Sequence, residues 1–125
     1  GKIKFIFRDF PLDLPAMIGS MVAQCQDDKK YFTVLSSLFR TQKKWAGSEN
    51  VQLSIAKALK EHGIKMDDIE ACLEENETNL ARWKAILDIR LKGQEMGVES
   101  TPTFFINNKK IDGSLNISKL EKLIY

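Results

Sequence analysis

Residues 2–9 alternate between apolar and charged side chains. Ile3, Phe5 and Phe7 fall on one face, and Lys2, Lys4 and Arg8 on the other. A period of two with one charged face predicts a strand at a sheet edge. Phe10-Pro11 ends it, because a residue before proline is held extended. A helical stretch follows. Pro15 suits a first helical turn, and Met17, Met21 and Cys25 recur every four residues. Asp27 or Asp28 can cap a second helix, on which Tyr31, Phe32, Leu35, Leu38 and Phe39 form an apolar stripe. Ser48 can cap a third, carrying Val51, Ile55 and Leu59 and stopping at Gly63. Asp67 opens a short fourth with Ile69, Cys72 and Leu73. A fifth, roughly 78–96, carries Leu80, Trp83, Leu87 and Leu91 and ends at Gly97.

The pattern then changes. Thr103 to Ile106 read as a strand, Asn107-Asn108 as a tight turn, and Lys109 to Ile111 as the return strand. A last helix places Ile117, Leu120 and Ile124 on one face, with Ser118 and Glu121 spaced for a capping box. Strand, about five helices, hairpin and helix amount to an α/β fold with a large helical insertion. The expected division is a partial α/β domain from 1–14 and 97–125, with 15–96 as the helical insertion.

Composition narrows the function classes. At 125 residues the chain holds one modest core. A net charge of +2, from 19 basic and 17 acidic residues spread along the chain, is too balanced for nucleic acid or an anionic membrane surface as main partner. No apolar run approaches the ~18–20 residues of a membrane span. The opening residues lack the basic start, apolar stretch and cleavage site of a signal peptide. The chain begins inside a predicted strand, which raises the expectation of a truncated N-terminus.

Candidate chemistry is sparse. His62, the single histidine, sits in "KEHGIK" at a helix end, where a cation opposes the helix dipole. Two cysteines and one histidine show no metal-ligand spacing, and there is no phosphate-binding glycine loop. Cys25 and Cys72 each lie on the apolar side of a predicted helix. They read either as two buried thiols acting as small hydrophobes or as a disulfide joining the first and fourth helices. Neither belongs to a C-x-x-C, so neither has the spacing of a redox catalyst of that type. Pro102, directly before an aromatic-rich strand, is the remaining singular position. Proline at a strand start costs no ladder bond. A cis bond there would turn the chain sharply and leave Thr101 main-chain groups facing outward, where an extended peptide could add to them.

Three segments in this order, "KIKFIFRDFPL", "KYFTVLSSLFRTQKKWA" and "GVESTPTFFINNKKIDG", resemble the bacterial DsbA-like thiol–disulfide oxidoreductases. The resemblance covers essentially the whole chain, and its last segment is the most specific. It implies a thioredoxin fold interrupted by a helical domain. Thr101 and Pro102 would form the cis-proline loop that pairs with the substrate peptide. Cys25 and Cys72 resemble the structural cysteine pair of an alphaproteobacterial-type subgroup, which implies a disulfide between them. The family's catalytic C-x-x-C matches no residue here; it precedes the strand that resembles "KIKFIFRDF". No catalytic residue, metal ligand or cofactor is therefore expected within these residues.

The resemblance also implies a strand lying between residues 2–9 and 103–106. Without it the edge strand has no neighbour, so completion by an N-terminal piece or by a swapped neighbour, or else an altered sheet, is expected. The implied function is a part of a periplasmic or otherwise exported oxidoreductase. Its partners would be unfolded or reduced protein substrates and a redox partner protein. Two alternatives stand beside it: a redox-inactive thioredoxin-fold module that binds peptides as a chaperone, and a kappa-type glutathione-dependent transferase or isomerase.

Overall fold

The computed structural model describes residues 2–125. Its elements are α1 (Leu14–Gln24), α2 (Asp28–Arg40), α3 (Gln42–Trp45), α4 (Val51–Ala58), a 3-10 turn (Lys60–His62), α5 (Met66–Leu73), α6 (Glu77–Glu95), β1 (Thr103–Ile106), β2 (Lys109–Asp112) and α7 (Ile117–Ile124). The chain is an α/β fold, rich in helix, with a small two-stranded sheet. Two compact units divide it between Arg90 and Leu91. Residues 2–14 thus cluster with the helices, where the sequence pattern groups them with the C-terminal hairpin.

Side-chain caps start α1, α2 and α4. Asp13 accepts from Ala16 N–H at 2.9 Å, and Asp27 accepts from Lys30 N–H at 2.9 Å. Pro15 lies in the first turn of α1, where a missing N–H costs no helical bond. The cap of α4 is Asn50, accepting from Leu53 N–H, and not Ser48. Ser48 instead bonds Asn50 and Ser54, bracing the turn before the cap. α4 also stops earlier than its apolar repeat suggests. Leu59, at φ −102° and ψ 6°, leaves helical geometry, and the 3-10 turn carries the chain to Gly63 at φ +73°.

The core of this unit gathers Val22, Ala23, Val34, Leu35, Leu38, Trp45, Ile55, Leu59, Ile64 and Ile69. Most come from α1, α2, α4 and α5, whose amphipathic faces converge; Trp45 comes from α3, and Leu59 and Ile64 from the turns around the 3-10 segment. Trp45 closes one side. Its indole N–H donates to Leu38 C=O at 3.0 Å, which satisfies the buried donor. Gly19 lets the ring in: a Cβ there would sit 3.1 Å from Trp45 Cη2. A second cluster joins Met17, Met21 and Ile86. Buried Asn79 ties the α5–α6 turn, donating to Ala71 C=O and Glu74 C=O at 2.8 Å each.

Residues 2–9 are not a strand, which corrects the expectation from their alternation. A strand exists only with a ladder partner, and the only ladder among the described residues joins β1 to β2. Side chains hold the segment instead. Phe7 packs on the helical core and meets Phe39 edge-on, with centroids 6.1 Å apart. Asp9, 5% exposed, accepts from Ser20 Oγ at 2.9 Å and Gln24 Nε2 at 3.0 Å, both on α1. Ile3, Phe5 and Ile6 remain exposed.

Tyr31 lies near that carboxylate. Burial, and secondarily the Asp9 charge, push its phenol up from 10.0 to about 12. The folded state thus favours the neutral phenol. This contribution is complete below pH 10 and is lost as pH rises toward 12. Tyr31 is half-exposed, so solvent screening limits the effect to about 1 kcal/mol or less. Tyr31→Phe is expected to flatten the alkaline fall in stability over that window, measured by urea unfolding at a series of pH values.

The second unit contains the hairpin and α7. Thr103 faces Asp112, Phe104 faces Ile111, Phe105 faces Lys110 and Ile106 faces Lys109. Asn107 and Asn108 supply the two-residue turn at φ 49° and 71°, as a type I′ geometry requires. The cap of α7 is Asn116, accepting from Lys119 N–H at 2.7 Å, and not Ser118. Leu120 and Ile124 are half-buried, while Ile117 stays 75% exposed.

Candidate functional site

The loop between α6 and β1 carries the candidate site. Two residues beyond α6 stands Gly97, whose φ of +90° places it in the left-handed region. Val98 N–H reaches back to Gly93 C=O at 2.9 Å and Gly97 N–H to Gln94 C=O at 3.0 Å, closing the helix end. Thr103 Oγ donates to Ser100 C=O at 2.7 Å and braces the turn. The Thr101–Pro102 peptide bond is cis, and both residues are exposed.

Hydrogen bonding distinguishes the two. Pro102 C=O accepts from Gly113 N–H at 3.0 Å, extending the β1–β2 ladder by one rung. The two-residue turn makes Ile106/Lys109 and Phe104/Ile111 the bonded pairs of the hairpin. Thr103 and Phe105 therefore direct their N–H and C=O groups to the opposite edge of β1. Within the unit no strand occupies that edge. Thr101 N–H and C=O bond to no partner among the described residues. The loop thus presents a braced, solvent-exposed run of main-chain donors and acceptors. Main-chain groups left open in this way are of the kind that can pair with an extended chain.

The cysteines lie in the first unit. Cys25, at the C-terminal end of α1, and Cys72, in the last turn of α5, form a disulfide with Cα atoms 5.8 Å apart. Cys72 is 3% exposed and Cys25 half-buried, so attack by an external thiolate is hindered. Its geometry is that of a staple between two packed helices. No cysteine remains free.

His62 does more than end a helix. Ser37 Oγ, buried on α2, lies 2.6 Å from His62 Nε2, and Arg40 donates to the same oxygen at 3.0 Å. Glu61 Oε1 is 3.7 Å from the same Nε2. Serine and carboxylate thus share one ring nitrogen. A nucleophilic triad needs them on opposite nitrogens and needs an accessible hydroxyl. The cluster ties the 3-10 turn to α2. Sequence reading did not reveal it, because residues 37 and 62 meet only through the packing of α2 against the end of α4. Asp9 left a trace that could have been read: it falls on the same parity as Ile3, Phe5 and Phe7, a carboxylate on the apolar face.

Among the described residues no cluster of His, Cys, Asp and Glu could hold a metal ion. No helix there is long and apolar enough to cross a membrane. The chain belongs to the thioredoxin family, whose model, described as thioredoxin, matches residues 1–125. No curated protein and no solved structure matches it.

Proposed function

We propose that this chain is part of a DsbA-like protein dithiol–disulfide oxidoreductase acting on exported, unfolded polypeptides. The observation that carries this reading is the exposed, unbonded main chain of Thr101 at the mouth of β1 in a thioredoxin-family fold. In the proposal a guest polypeptide pairs with Thr101, and the edge at Thr103 and Phe105 takes a further strand of the same sheet. The exchanging C-x-x-C is supplied from outside these 125 residues. A guest thiolate attacks one sulfur of that oxidised pair, forming a mixed disulfide and releasing the other sulfur as thiolate. A second guest thiolate then attacks the mixed disulfide. The guest leaves oxidised, the enzyme pair is reduced, and a redox partner protein takes up the two electrons. The Cys25–Cys72 staple takes no part.

A thioredoxin-fold module that binds unfolded chains without redox chemistry is the second reading. It is favoured by the use of both cysteines in one hindered disulfide. The two readings separate in an insulin-reduction assay on the natural polypeptide that carries this chain. Turnover is expected; intact binding of unfolded protein without turnover supports the module instead.

Thr101 supplies the sharper test. Thr101→Pro removes its N–H, while Thr101→Ala keeps it. One main-chain hydrogen bond at ~1 kcal/mol corresponds to about a fivefold loss. Thr101→Pro is expected to weaken binding of a reduced, alkylated unfolded protein by about that factor. Thr101→Ala is expected to stay within about twofold, since the exposed Thr101 side chain makes no hydrogen bond in the fold. Titration calorimetry measures both, and equal behaviour of the two variants contradicts main-chain pairing.

A further inference from the structure

A cleft of about 590 Å³ opens at the end of α2, away from the Thr101 loop in sequence, lined by Phe39, Arg40, Gln42, Lys43 and Ala46. Its wall carries two cations and no carboxylate. Arg40 is held in place: Nη1 donates to Ser36 Oγ at 3.3 Å and Nη2 to Ser37 Oγ at 3.0 Å. Both partners are neutral hydroxyls, and neither Arg40 nor Lys43 has an ion pair among the described residues. Glu61 Oε1 lies 3.7 Å from His62 Nε2 and forms no ion pair with either cation. The guanidinium is therefore pre-positioned and without an ion pair, the arrangement that favours a carboxylate taken through two N–H donors. Beside it the Phe39 ring is 58% exposed, and Ala46 adds apolar surface. Gln42 offers one amide donor and one acceptor, matching a peptide group.

We propose that this cleft binds an acidic polypeptide segment, with a carboxylate on Arg40 and Lys43 and an adjoining apolar side chain on Phe39. A small anion would satisfy the cations and leave ring and amide unused. A nucleic-acid strand would require a longer track of cations than two. The site shares no residue with the Thr101 loop and requires no redox step.

The probe is a fluorescein-labelled decapeptide of alternating Glu and Leu, with its Gln–Leu counterpart, titrated with the full chain and followed by anisotropy. The Glu–Leu peptide is expected to bind about tenfold tighter. Arg40→Gln with Lys43→Gln is expected to remove most of that preference. Lys29→Gln with Lys84→Gln, the same charge change at exposed positions outside the cleft, is expected to change it less than about twofold. Should loss of the Ser36 and Ser37 bonds unfold the double variant, Lys43→Glu serves, because Lys43 makes no bond in the fold. Equal affinity for the two peptides overturns the proposal, as does equal loss in the control variant. Displacement of the peptide by millimolar inorganic phosphate, or tighter binding of oligothymidylate, would also overturn it, by assigning the cleft to another anion.

Discussion

Cys25→Ser combined with Cys72→Ser is expected to destabilise the chain by ~4 kcal/mol. The disulfide closes a sequence separation of 47 residues, and the chain entropy of an unfolded loop that long sets the figure. Native contacts raise the expectation further. Cys72 is buried beside Ile69 on α5, and Cys25 follows Met21, Val22 and Ala23 at the end of α1, so the bond joins helices that already share a core. Against a typical margin of about 5–15 kcal/mol, such a loss takes a large share. Urea unfolding with and without a reductant measures it. The reduced wild type should match the double-serine variant to within about 1 kcal/mol. If reduction leaves the unfolding midpoint where it was, the bond is not the staple described here.

The second large effect is expected at Trp45. Trp45→Ala should cost about 3–5 kcal/mol, the range for removing a buried aromatic. Three groups depend on that ring. Leu38 C=O loses its donor, Gly19 faces an empty volume, and the cluster around Leu38, Ile55 and Leu59 loses one wall. Trp45→Phe keeps part of the apolar contact and removes both the N–H and the outer ring atoms that reach Gly19. It is expected to cost about 2–3 kcal/mol, one buried hydrogen bond plus a partial cavity. Thermal unfolding followed by circular dichroism checks both. An alanine variant within about 1 kcal/mol of wild type would mean that α3 does not close the core.

Elements whose physics is local were legible in the sequence. The Asn107-Asn108 turn declares itself because both residues tolerate a positive φ, and the hairpin register follows from its length. Asp27 as a cap and Gly97 as a helix stop rest on chemistry within four residues. Residues 2–9 did not resolve this way, because alternation sets which face is apolar but not whether a ladder partner exists. The end of α4 failed similarly: Leu59 keeps the apolar repeat and is fully buried, yet it does so from outside helical geometry. Ser48 and Asn50 are both competent caps, and only the path of the chain chooses between them. At the site, Pro102 and Thr101 stood out by sequence position alone. The cis geometry of their peptide bond, the bond from Gly113 to Pro102, and the unbonded groups of Thr101 became visible only in three dimensions.

Residue-resolved amide hydrogen exchange at Thr101 tests the central claim most directly. In the protein alone this amide is expected to exchange at the rate of an open chain, since nothing in the fold accepts its proton. Adding a reduced, alkylated unfolded protein should slow it by about tenfold or more at saturating concentration, as expected for an amide drawn into a main-chain hydrogen bond. An unchanged rate at Thr101 while the guest is demonstrably bound would place the contact elsewhere and contradict the account.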